Sequence, residues 1–301
     1  MIKRQRSITG YLCPKTRRHV FFILFICGIA CALNGFAPHF AKQTAVVSGD
    51  TGTPLPILMY HSVLDNKNRE SKYVITPADF EADLKLIQSK GYQTVMVSDL
   101  IAYKENKIAL PEKPIMLTFD DGYYNNYSYV FPLLKQYNMK GVLSVVGKYA
   151  DEYSKEGEVM NNNYSHATWK MLREMQESGV IEIENHSYDM HDWSERRGIL
   201  KKKGEDTAHY NEVLLNDLTK MQKKIQNGVG TMAQAFTYPF GAVSKDSRAI
   251  VEKMGFKVTL GCEEGINYLT PDNGLKELKR FNRAGNANRD AFFKRVFKDA
   301  E

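Results

Sequence analysis

The sequence predicts an α/β protein built on a mostly parallel sheet. Short apolar runs recur along the chain, and each ends at polar, chemically capable residues. Longer stretches with helical spacing lie between them, several closing near a glycine. Seven or so such β–α units in about 250 residues imply a parallel sheet, open or closed into a barrel. The expected strands are Ile57–Tyr60, Thr94–Val97, Ile115–Phe119, Val142–Val146, Val180–Glu184, Gln234–Thr237 and Val258–Leu260. The first expected helix is Pro77–Lys90. Thr76 offers a capping oxygen, Pro77 suits the first helical position and Gly91 follows the last. Tyr129–Tyr137, Ala167–Ser178, Asn211–Gln226 and Lys245–Met254 have the same character, with Gly179, Gly228 and Gly255 near their ends. No internal repeat or low-complexity tract interrupts the pattern.

Charge divides the chain. Of 41 Lys and Arg, seven fall within residues 1–49, a stretch without Asp or Glu. The remainder has 34 basic against 35 acidic residues, so the overall +6 belongs to the N-terminus and a basic nucleic-acid-binding body is disfavoured. Six basic residues precede the apolar stretch Val20–Ala37, which is long enough to span a bilayer. Positive charge ahead of the span would keep residues 1–19 cytoplasmic and send the rest across. The expectation is a single-pass membrane anchor over 20–37, with secretion after cleavage near Ala30-Cys31-Ala32 as the alternative. Residues 38–54, rich in small and turn-forming types, read as a linker to a catalytic domain over 55–301. Cys13, Cys27 and Cys31 lie in or before the apolar stretch, which leaves Cys262 alone in the body. An intrachain disulfide there has no partner, and any metal must use His and carboxylate ligands.

In β–α folds the chemistry gathers at the carboxyl ends of the strands. Four clusters sit there. Leu117-Thr118-Phe119-Asp120-Asp121-Gly122 puts two carboxylates after an apolar strand, followed by a glycine that permits a sharp turn. A solvated Asp-Asp-Gly turn would look the same, but a bend could give the two acids separate tasks around one centre. His186 and His191, five apart after Ile181–Asn185, lack the spacing of four that a helical pair needs, so they imply a loop site. With Asp121 they would supply two nitrogens and one oxygen, a set suited to Zn²⁺, Co²⁺ or Fe²⁺ with positions left open. His61 ends the run Pro56–Tyr60, and Phe236-Thr237-Tyr238-Pro239-Phe240-Gly241 forms another strand end with turn chemistry.

Taken together in this order, the clusters resemble the NodB-homology polysaccharide deacetylases, carbohydrate esterase family four, over roughly residues 54–285. Thr118–Gly122 is similar to the family's TFDDG motif. The five-residue histidine spacing and Leu58-Met59-Tyr60-His61 are similar to the poly-N-acetylglucosamine deacetylase branch. The resemblance implies a distorted (β/α) barrel of about seven parallel strands. It implies Asp121, His186 and His191 as metal ligands, Asp120 as general base, and the backbone N–H of Tyr123 as oxyanion donor. The family's acid is usually a His in a Leu-x-His motif. Here that stretch reads Leu278-Lys279-Arg280, so the acid role passes to His61, since Arg does not release a proton near neutral pH. The family's Arg-x-Pro motif reads Thr237-Tyr238-Pro239, and Arg280 is expected to replace the missing positive charge. Tyr238, Pro239 and Leu278, in these motifs, are expected to contact the substrate, and Trp193 and other aromatics offer stacking faces for sugar rings.

The implied activity is metal-dependent removal of N-acetyl groups from N-acetylglucosamine residues of peptidoglycan or poly-N-acetylglucosamine, with zinc foremost among the metals. Two alternatives stand beside it. One is an O-acetyl esterase acting on xylan or another acetylated glycan. The other is a glycan-binding protein that keeps the barrel without catalysis.

Overall fold

The computed structural model describes residues 52–155 and 158–300. Strands β1 (Thr53–Leu55), β2 (Ile57–Tyr60), β3 (Ser62–Val63) and β4 (Val74–Ile75) lead to helix α1 (Pro77–Ser89). β5 (Gln93–Thr94), α2 (Val97–Asn106), β6 (Pro114–Asp121), α3 (Phe131–Gln136), β7 (Gly141–Val145) and α4 (Gly147–Tyr153) follow. Then come α5 (Trp169–Glu177), β8 (Ile181–Asn185), α6 (Thr207–Val229), β9 (Ala235–Thr237) and α7 (Lys245–Lys253). β10 (Val258–Leu260), β11 (Asn267–Leu269), β12 (Phe281–Asn282) and α8 (Arg289–Ala300) complete the order.

Seven strands lie parallel in the order β10-β9-β8-β7-β6-β2-β12. The segment carrying β12 touches both outer strands. Leu278 bridges to Leu260 of β10, and Phe281 pairs with Leu58 of β2. The sheet therefore curls into a barrel. Parallel strands covered on both faces read as unbroken apolar runs, and all eight residues of β6 are buried. Side chains alternate along each strand. Leu58, Leu117, Phe119, Leu143, Ile183 and Phe236 pack outward under the helices, while Ile57, Met116, Val142, Ala235 and Val258 form a second, inner cluster. Nearer the carboxyl ends the inner positions turn polar. Ser144 and Thr237 share a hydrogen bond of 2.7 Å, and Thr118 Oγ1 donates to Leu58 O. β8 and β9 meet only at Asn185 and Phe236, and the buried Glu184 carboxylate spans the gap by accepting from Ala235 N at 2.6 Å.

Local signals place the helices. Thr76 Oγ1 accepts from Asp79 N at the start of α1, a cap of the kind that contributes about 1 kcal/mol. Asp206 caps α6 through His209 N, and Gly230 closes it in the left-handed region.

Two expectations need correction. Thr94–Val97 is not a barrel strand. Only Gln93–Thr94 pairs, with the base of β6, and Val97 already opens α2, where Asp99 accepts from Met96 N. The seventh parallel strand is instead β12, two residues long and flanked by Arg280 and Arg283. The expected helix over 129–137 begins as a π-helical turn, Asn126–Val130, before α3. The basic tail, the apolar stretch 20–37 and most of the 38–54 linker lie outside the described residues. Among those described, no helix is long and apolar enough to cross a membrane.

Candidate metal centre and cleft

The motif at the end of β6 works through its backbone. Asp121 adopts φ 75° and Gly122 φ 79°, two successive residues in the left-handed region. Asp tolerates that conformation better than most residues, and Gly122 is further constrained because a Cβ there would lie 3.0 Å from Val145 Cγ1. The bend re-aims Asp121, so two neighbouring carboxylates that would point to opposite faces of a straight strand both line one cleft.

Asp121 meets the histidine loop there. Its Oδ1 is 3.2 Å from His191 Nε2 and 3.6 Å from His186 Nε2, and one ligand atom from each of the three lies within 4.8 Å of the others. His186 Nδ1 donates to Thr237 O at 2.8 Å, which fixes the tautomer and leaves Nε2 with its lone pair toward Asp121. Burial pushes the His186 imidazolium down to about 3 and lowers that of His191, so both rings are neutral donors near pH 7. Burial drives Asp121 the other way, up to about 6. Its Oδ1 is buried without a hydrogen-bond partner among the described residues. An orphaned carboxylate oxygen facing two neutral imidazole nitrogens is the donor set of a divalent cation site, so these three residues fit a bound metal.

Asp120 is treated quite differently. Arg280, fully buried, bonds it with both arms: Nη1 to Oδ1 and Nη2 to Oδ2, each at 2.8 Å. Arg280 also bonds Gly261 O and Thr118 Oγ1. Although burial alone would raise the Asp120 carboxyl, the Arg280 guanidinium holds it well below the usual carboxylate range. Arg280 thus places a positive charge on Asp120 from 160 positions further along the chain.

His61 lines the same cleft, with its ring 4.8 Å from that of Tyr73 at a steep angle. Burial lowers its pKa, and Nδ1 is buried without a partner among the described residues. Tyr123 lines the wall beside Asp121, and its ring stacks on His166 at 4.8 Å. Trp193 stands at the rim, 59% exposed, with Phe240 against it edge-on at 4.9 Å and the Arg197 guanidinium 4.7 Å above its ring. The cleft encloses about 520 Å³.

Three expected substrate contacts lie elsewhere. Tyr238, Pro239 and Leu278 are buried in the barrel wall: Tyr238 packs edge-on against Phe236, and Leu278 bridges to β10. The turn after β9 presents Phe240 instead. It takes the left-handed φ of 59° and lays its ring 4.4 Å from His191. Sequence reasoning also missed Met59, Lys72, Tyr73, Arg197 and Cys262 in the lining. Phe240 was within reach, being next to Pro239. Lys72 and Tyr73 sit in a loop with no pattern to mark them.

The parallel β/α barrel, with its convergent carboxylate and imidazoles at the strand ends, has the architecture of a metal-assisted hydrolase. The polysaccharide deacetylase profile matches residues 107–259, about half the sequence, and the chain belongs to that family. YxkH of Bacillus subtilis strain 168, itself assigned to the polysaccharide deacetylases, is 26% identical over 237 residues, covering 79% of this chain and 74% of its own. The poly-beta-1,6-N-acetyl-D-glucosamine N-deacetylase of Escherichia coli K12 is 25% identical over 227 residues. That match covers 69% of this chain but 34% of the relative, so the chain spans about a third of that protein's length. The solved de-N-acetylase from Aggregatibacter actinomycetemcomitans shares the fold, with a TM-score of 0.70 over 81% of this chain and 99% of its own at 22% identity.

Proposed function

We propose that the protein hydrolyses the N-acetyl group from N-acetylglucosamine residues of an extracellular polysaccharide, with poly-N-acetylglucosamine favoured over peptidoglycan by the likeness to the Escherichia coli relative. The observation that carries this reading is the Asp121–His186–His191 cluster beside an Asp120 that is separately ion-paired with Arg280. Asp121, His186 and His191 would hold the divalent ion, zinc in our reading. Such an ion supplies Lewis acidity, polarising a carbonyl and lowering the pKa of water from 15.7 to about 7.

The chain's own groups do the rest. Arg280 keeps Asp120 ionised and fixes the direction of its oxygens, so Asp120 can orient the attacking water and receive its proton. A carboxylate held so low is a weak base and needs a water that is already acidified. The Tyr123 N–H would meet the developing oxyanion, a contact whose loss typically costs about 3–4 kcal/mol. His61, neutral at rest, would take up the proton that Asp120 receives from the water and pass it to the departing amine. Trp193 and Tyr73, exposed on the cleft lining, would stack against sugar rings. The apolar stretch 20–37, as anchor or cleaved signal, would place this cleft outside the cytoplasmic membrane.

Acetate release from a panel of acetylated glycans, with and without chelator, tests the reading. Release should be abolished by chelation, restored by zinc, and reduced about 10²–10⁴-fold by Asp120→Asn. Glycan binding without acetate release, even with metal supplied, would show a binding protein instead. Release confined to O-acetyl esters would favour the esterase.

A further inference from the structure

In the loop that joins the two histidines, the backbone amides from His186 to Met190 each meet an acceptor. His186 N donates to Val145 O, Ser187 N to Asn185 Oδ1, and Met190 N to Ser187 Oγ. The two amides between them go to one distant carboxylate. Asp217, near the middle of α6, accepts from Tyr188 N through Oδ1 and from Asp189 N through Oδ2, both at 2.8 Å. The start of α4 grips the same loop from the other side, with Gly147 N and Lys148 N donating to the carbonyls of Ser187 and Tyr188. Gly147 is required for that approach, since a Cβ there would fall 2.7 Å from Tyr188 Cδ2. Ser187 is held at φ 74°, a conformation that a serine keeps only where its surroundings over-determine it.

The loop is therefore wound around the Asp217 carboxylate. Two adjacent N–H groups aimed at one carboxylate make charge-assisted bonds of the stronger kind. They fix the part of the loop that decides where His191 arrives. A five-residue spacing has no helix to set its geometry, and this anchor supplies what the helix would.

We propose that Asp217 is a positioning residue for the metal centre: by binding the Tyr188 and Asp189 amides it sets the separation of His186 and His191 and hence the affinity of the site for a divalent ion. The proposal rests on the metal reading given above but concerns a residue that touches neither ion nor substrate.

The test uses Asp217→Asn, which keeps size and one acceptor oxygen but presents an NH₂ to the other amide. Zinc affinity would be measured by competition with a chromophoric chelator, and amide hydrogen exchange on the metal-free protein. Asp83→Asn, in a buried ion pair with Arg283 on the α1 side of the barrel, serves as a destabilised control. We expect Asp217→Asn to fold, to bind zinc about 10–100-fold more weakly, and to lose exchange protection at Tyr188 and Asp189. Asp83→Asn should lose stability without losing zinc affinity. Unchanged affinity or unchanged amide protection in Asp217→Asn would overturn the proposal, as would an affinity loss matched by Asp83→Asn. Should Asp217→Asn not fold, Asp217→Glu, which shifts the carboxylate by one methylene, carries the same comparison. A wild type that takes up no zinc would refute the metal reading, and the exchange experiment would still decide whether Asp217 holds the loop.

Discussion

Arg280→Met should cost about 3–5 kcal/mol of folding stability and most of the activity. The guanidinium is fully buried and spends both arms on Asp120, so its removal strands a carboxylate inside the barrel. The stability loss comes chiefly from that stranded charge. Combining Arg280→Met with Asp120→Asn should therefore recover much of the stability without recovering activity. Urea unfolding of the two single variants and the double variant gives the coupling directly. Simple addition of the two single losses would mean that the pair is not energetically linked, and Arg280 would lose its assignment as the partner that keeps Asp120 ionised.

His61→Ala should divide amide from ester chemistry. An amine leaves only when protonated, whereas an activated phenolate leaves without help. Losing a general acid typically costs 10²–10⁴-fold, and that loss should fall on N-acetyl substrates while an aryl acetate is hydrolysed at close to the wild-type rate. The measurement is kcat/KM for both substrates on one preparation of metal-loaded protein. Equal losses would assign His61 to binding or support. The environment makes the role testable, because the ring lines the cleft and Nδ1 has no partner among the described residues to hold a proton elsewhere.

Much of this site was legible in the sequence because it follows strand ends. Asp120, Asp121, His61 and His186 each come at the close of an apolar run, and a parallel sheet brings such closures to one rim. Register completes the work: Asp121 lies level with Val145, and Val145 with Asn185, so His186 begins where Asp121 ends. The left-handed turn that lets both acids serve one cleft was foreshadowed by Gly122. What could not be read was whatever depends on contacts distant in sequence. β12 is too short for periodicity and is flanked by arginines where a strand is expected to run on with apolar residues. Its neighbour Arg280 is recognisable only by the carboxylate it meets. Tyr238 and Pro239 drew attention through their motif, yet the backbone at Phe240 turns the adjacent ring into the cleft instead. Asp217 is one of two acids on an amphipathic helix, with nothing to distinguish it until the histidine loop is folded against it.

The doubly bonded segment from Leu278 to Asn282 also bears on how the protein is made. Every other residue of the proposed site precedes it in the chain, the two histidine ligands by roughly 90 positions and Asp121 by 157. During translation Asp121, His186 and His191 emerge first, while Asp120 still lacks its counter-charge and the barrel its final stave. A nascent chain halted before Arg280 would own the whole donor set and yet have no stable way to bury the carboxylate next to it. Closure of the barrel and neutralisation of the Asp120 charge thus depend on the same late-emerging segment.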